Sequence, residues 1–143
     1  MTAKDEAGVR ACVDAWLAGW TFDPTHPWSL DRFTPILHED AQVIDDYGHQ
    51  LSILNGHKDY SGIWGPMVKQ YMKQWAIKCE EETYKAWIGD TVACVSFVLR
   101  GGGEMANGEV HKLRQYCTFP LEKIGGRWVI LKEHITTDFD YST

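Results

Sequence analysis

The chain has 143 residues and a formal net charge of −6, with its lysines and arginines scattered among more numerous acids. That balance offers no basic stripe, so nucleic acid is not an expected partner. No apolar run approaches the ~20 residues of a membrane span and the first ten residues lack a signal-peptide pattern, so no membrane partner and a cytoplasmic chain are expected.

The length fits one domain over 1–143, large enough to bury a core without disulfides. Cys12, Cys79, Cys94 and Cys117 each sit in apolar-patterned sequence with no C-x-x-C pair, and they read as buried free thiols. Seven Trp and six Tyr are many for this length. Their bulk and polar tips suit a core with a cavity, and equally a plain core.

In chain order, Val9, Cys12, Val13, Trp16, Leu17 and Trp20 recur at helical spacing and predict a first helix over about 4–19. A loop follows over 21–27, broken by Asp23-Pro24 and His26-Pro27. Ser29 is a suitable N-cap for a short helix through Leu30 and Phe33. A strand is predicted over 41–46, a turn over 47–50 and a return strand over 51–54. Tyr60, Ile63, Trp64, Met67, Val68 and Tyr71 mark a further helix over about 57–73, with Gly62, Gly65 and Pro66 expected to kink it. The remainder reads as four strands, over 77–88, 91–100, 109–123 and 127–137. Gly89-Asp90 and Gly125-Gly126 are hairpin turns, Gly101 to Gly108 a longer mobile loop, and the residues from 138 onward frayed or interface-bound.

The stretch Val43-Ile44-Asp45-Asp46-Tyr47-Gly48 is the most informative. Side chains alternate along a strand, so Asp45 and Asp46 point to opposite faces. A carboxylate facing an apolar pocket is desolvated and becomes a candidate general base. On the later strand, Arg114, Tyr116 and Thr118 share one face, and His111, Leu113, Cys117 and Phe119 the other. Alternation alone does not decide which face meets a cavity. On the last strand, Leu131, Glu133 and Ile135 alternate with Ile130, Lys132 and His134. Trp16, Trp20, Tyr60 and Trp64 lie on helix faces, where core packing explains their spacing and pocket lining is a further claim. The six histidines show no ligand spacing beyond a loose His49/His57 pair, so no metal is expected. No phosphate loop, dinucleotide fingerprint or nucleophile elbow is present.

Three segments together resemble the nuclear transport factor 2-like superfamily, also called SnoaL-like or ketosteroid isomerase-like. They are Ala15-Trp16-Leu17-Ala18-Gly19-Trp20, the run from His38 to Gly48 with Gly56 after it, and the run from Gly126 to His134. The resemblance implies an α+β fold of the cystatin-like kind, a cone-shaped curved antiparallel sheet wrapped around N-terminal helices. It puts the general-base position on Asp45 and leaves Asp46 to solvent. The oxyanion donors it implies fall on Trp16 and near Thr118, and it favours the face of Arg114, Tyr116 and Thr118 as pocket-lining. It turns Glu133 inward as a second carboxyl, with His134 or His111 as another proton carrier.

The implied function is acid/base chemistry without a cofactor, of isomerase, dehydratase or cyclase type. The substrate would be an apolar carbonyl-containing small molecule, and the chain a homodimer through the outer sheet face. The final strand also resembles the association domain of calmodulin-dependent kinase, which implies the alternative of a non-catalytic ligand-binding or oligomerisation module.

Overall fold

The computed structural model describes residues 2–142. Helix α1 spans Ala3–Gly19, starting where Thr2 accepts the Asp5 amide (3.1 Å) and Asp5 and Glu6 complement the helix dipole. Ser29 caps a single 3₁₀ turn, Leu30–Arg32. Strand β1 (Leu37–Asp45) starts four residues earlier than its apolar pattern suggested. Strand β2 is Ser52–Asn55. Helices α2 (Gly56–Asp59) and α3 (Gly65–Tyr71) are joined by a π-helical turn over Tyr60–Trp64, where the Gly65 amide reaches back to the Tyr60 carbonyl. The expected kink is this turn, with Pro66 in the first turn of α3.

Five strands follow: β3 (Met72–Cys79), β4 (Lys85–Ile88), β5 (Val92–Met105), β6 (Val110–Ile124) and β7 (Arg127–Thr137). The single strand expected over 77–88 is two, separated by a 3₁₀ turn at Glu81–Thr83. The sheet runs β2-β1-β7-β6-β5-β3, with β4 also paired to β5. The β1–β7 pairing is parallel and the others antiparallel. The architecture is therefore α+β, a curved unclosed sheet whose concave face covers α1. Trp16 of α1 packs edge-on against Phe119 of β6 (4.9 Å between centroids) and Phe97 of β5 (6.3 Å). Among the described residues no helix is long and apolar enough to cross a membrane.

One segment departs sharply from expectation. Gly101, Gly102 and Gly103 are not a mobile loop. They continue β5 and pair with β3 on one side and β6 on the other. A Cβ at Gly101 would stand 1.9 Å from the Ala76 carbonyl oxygen, and one at Gly103 2.0 Å from that of Gln74. Glycine is required because the neighbouring strands approach too closely for any side chain. The Gly125-Gly126 turn is as expected, with both residues at positive φ.

The segment after β7 folds back onto β6. The Asp138 amide donates to the Arg114 carbonyl (2.9 Å), and the Arg114 amide donates to Ser142 Oγ (3.0 Å). Thr143 lies outside the described residues. Cys12, Cys79 and Cys117 are buried and Cys94 partly so, all as free thiols.

Candidate functional site

Between α1, the broken helix and the concave face lies a cavity of about 70 Å³ that opens to the surface. Its position follows from strand parity. On β1, Ala41 and Val43 are buried on the concave side, and Asp45 is next in that row. On β7, Val43 is level with Glu133. Asp45 lies one inward step beyond, so the two carboxyls sit diagonally on adjacent strands. Both reach the cavity wall.

The two acids are held differently. Glu133 is 1% exposed and accepts a short hydrogen bond from the Tyr60 hydroxyl. Burial dominates and pushes its pKa up to about 8, against the lowering by the Tyr60 and Trp16 donors and with added repulsion from Asp45. At neutral pH Glu133 keeps its proton. Asp45 is partly buried, and desolvation pushes it up to about 6. The Tyr47 amide, which donates to Asp45 Oδ1 at 2.7 Å, opposes this, the Asp46 charge adds to it, and the Gln115 amide moderates it. Asp45 is therefore the member that ionises near neutrality, beside a neutral acid.

Aromatic and apolar groups complete the wall. Trp16, Trp20 and Trp64 come from the helices, as the sequence suggested. Tyr60 does not reach the cavity. It is fully buried behind it, held by Phe33 and Trp28 rings, and acts on the site through Glu133. The π-helical turn sets this division, presenting Trp64 to the cavity and Tyr60 to the core.

Three expected residues are placed elsewhere. Arg114, Tyr116 and Thr118 lie on the convex face of β6, away from the cavity. The inward row is Leu113, Gln115, Cys117 and Phe119, all buried. The physical reason is that this row is the apolar one, and a concave face must cover α1. Arg114 instead pairs with Glu80 (3.0 Å) and Asp138 (3.1 Å). His134 also faces outward, because Glu133 beside it faces in. Asp46 is not free in solvent. Its carboxylate accepts the Thr137 amide at 2.7 Å and ties the end of β7 to that of β1.

Several lining residues carry no sequence signal of function. Tyr47, read as a turn residue, lines the cavity, and its hydroxyl meets His111 Nδ1 at 2.9 Å. His111 in turn meets Glu109 at 3.1 Å, so it touches the site only through Tyr47. Gln115 could have been found as the polar member of an otherwise apolar inward row. It donates to Thr137 Oγ1 at 3.0 Å. Trp75, Met67 and Met72 join the wall through tertiary packing alone. Among the described residues, no group of three or more His, Cys, Asp or Glu is arranged to hold a metal ion.

No family model matches this sequence, and no curated protein matches it. Solved structures do. A candidate aromatic ring hydroxylase from Novosphingobium aromaticivorans superposes with a TM-score of 0.76 at 14% identity, covering 99% of this chain and 98% of that one. The hexachlorocyclohexane dehydrochlorinase LinA-type3 from Novosphingobium barchaimii gives 0.73 at 13% identity, over 98% of this chain and 89% of that one. An NTF2-like protein of unknown function from Pseudomonas putida gives 0.71 at 14% identity, over 95% and 88%. The chain thus has the cystatin-like, nuclear transport factor 2-like fold, the fold its sequence pattern resembles. At these identities the likeness concerns the fold, which by itself selects no reaction.

Proposed function

We propose that this chain is a small-molecule enzyme doing acid/base chemistry in the cavity, with Asp45 as general base and Glu133 as the neutral acid. The observation that carries this reading is the pairing of two inward carboxyls whose pKa values are split, about 6 and about 8, in an aromatic cavity. Such a split lets one group take a proton at the pH at which the other can donate one. On a carbonyl-containing substrate, Asp45 removes the α-proton. Oxyanion charge then develops beside the Glu133 carboxyl and the Trp16 indole, which stabilise it by hydrogen bonding. Isomerisation, dehydration and cyclisation all begin this way, and the step draws only on side chains of the cavity.

A neighbour of the same fold is a hexachlorocyclohexane dehydrochlorinase, so the fold is compatible with small-molecule enzymes. In this reading the protein works in the cytoplasm as a homodimer. Trp87, Val92 and Tyr116, exposed apolar groups on the convex side of the sheet, support an interface there. The alternative, a non-catalytic binding or oligomerisation module, leaves the split carboxyl pair without a use.

The test is α-proton exchange in deuterated water across a panel of compact ketones, followed by NMR. Exchange should rise with pH through about 6, and Asp45→Asn should slow it on the order of 10²–10⁴-fold. Full exchange in folded Asp45→Asn would remove Asp45 as the base. No exchange in the unmodified chain for any member would favour the binding module.

A further inference from the structure

The cavity is one-sided in charge. Among the described residues, Asp45 and Glu133 are its carboxyls, and no lysine, arginine or histidine lines it. His111, which meets the lining residue Tyr47, is engaged by it and by Glu109. A carboxylate or phosphate ligand would enter beside two acids with nothing to neutralise it, at a steep cost in so dry a place.

The walls favour the opposite sign. Trp20 and Trp64 stand nearly perpendicular (85°, 6.3 Å between centroids), as do Tyr47 and Trp75 (75°, 6.0 Å). Such edge-to-face pairs build a rigid aromatic wall, and aromatic faces carry the negative end of the ring quadrupole, which attracts a cation. Met67 and Met72 add polarisable thioethers. Separately, Trp16, 2% exposed and part of the lining, sets its buried Nε1–H towards the Glu133 carboxyl, whose pKa it lowers, so that acid is held from within the protein and Asp45 is the carboxyl left for a ligand.

We propose that the cavity takes a compact organic cation: an ammonium group within the Trp and Tyr walls, countered by Asp45. The inference rests on the reading of this cavity as the ligand site, and it narrows the carbonyl-containing substrate to one that also carries an ammonium group. The volume of about 70 Å³ admits a small head group. A cation there counters the Asp45 charge, which burial otherwise disfavours.

Choline and 3,3-dimethylbutan-1-ol separate charge from shape, the second having carbon where the first has its charged nitrogen. Each is titrated into the full chain near neutral pH, with the indole N–H resonances and tryptophan fluorescence as readouts. Choline should bind about tenfold or more tightly than the alcohol. Asp45→Asn should erase most of that preference while leaving alcohol binding within about twofold. Trp64→Leu, which keeps the wall apolar, should weaken choline more than the alcohol.

Equal or tighter binding of the alcohol overturns the cation assignment and leaves the acid/base reading standing, with a neutral ligand. A choline preference that survives in folded Asp45→Asn overturns Asp45 as counter-ion. Binding of neither probe overturns the inference, and the ketone exchange experiment then decides separately whether the acid/base reading also falls.

Discussion

Two clusters of charge sit back to back on the same sheet, and they behave oppositely. On the convex face, Arg114 holds Glu80 and Asp138, and its Nη1 also donates to the Tyr116 hydroxyl at 2.8 Å. Both of these acids have a cation, and the group is partly exposed at the surface. Desolvation pushes Asp138 up, but the Arg114 guanidinium and the Tyr116 hydroxyl outweigh it and hold the carboxyl below its ordinary range. On the concave face, Asp45 and Glu133 have no cation, and both are pushed up. The same residue type is a surface tie on one side and a proton carrier on the other. What differs is solvent and counter-charge, not chemistry. The concave cluster destabilises the fold when ionised, as expected of a site kept for function.

The contrast can be broken most directly at Glu133. Its folded pKa of about 8 lies above the ordinary 4.5, so the unfolded chain releases this proton first as pH rises. Stability should fall between about pH 4.5 and 8, by a few kcal/mol at most. Glu133→Gln should flatten that slope and be the more stable protein at pH 8, as read by urea melts across pH. A slope unchanged by the substitution would mean that Glu133 is not the dry, uncompensated acid.

Asp45 should give a smaller effect of the same sign. Its folded pKa of about 6 against the ordinary 3.8 places the loss between those two values. Carbon-13 NMR of the carboxyl should titrate near 6, and Asp45→Asn should gain about 2–3 kcal/mol at pH 8. A midpoint near 3.8 would show a wetted wall.

Tyr60→Phe tests the link behind the cavity. Without the phenol donor Glu133 should hold its proton to still higher pH, and the variant should lose about 1–3 kcal/mol at pH 9. The loss should be smaller at pH 5, where the acid is neutral in either protein.

Arg114→Met on the convex face should have the smallest effect and should fade as salt shortens the screening length. The contribution of Asp138 carries the opposite sign in pH. It is present above the ordinary 3.8 and is lost as pH falls through the depressed folded value. A large, salt-insensitive loss in Arg114→Met would erase the distinction between the two faces.

Much of this was legible in the chain. The α1 face, the kinked helix, the two-glycine turn and the opposite facing of Asp45 and Asp46 all follow from local rules of spacing and φ, while the resemblance supplied the inward choice of Asp45. Alternation puts His111, Leu113, Cys117 and Phe119 on one face of β6 but does not by itself say that this face is the covered one. The resemblance pointed to the Arg114 row instead, and the burial of α1 against the sheet decides against it. Gly101 to Gly103 misled for a related reason. Three glycines have low strand propensity in isolation, and only the crowding of β3 and β6 shows why no other residue fits.

The sequence by itself determined most of the elements and that Asp45 and Asp46 face opposite ways, because periodicity and parity are properties of the chain. It could not determine that Asp45 and Glu133 would lie diagonally on neighbouring parallel strands, or that Tyr60 would back one of them. Nor could it show that no cation would share their cavity. Those depend on residues far apart in sequence meeting in space. A carboxyl's pKa, and with it the chemistry it can do, is set by those neighbours and by the water they exclude.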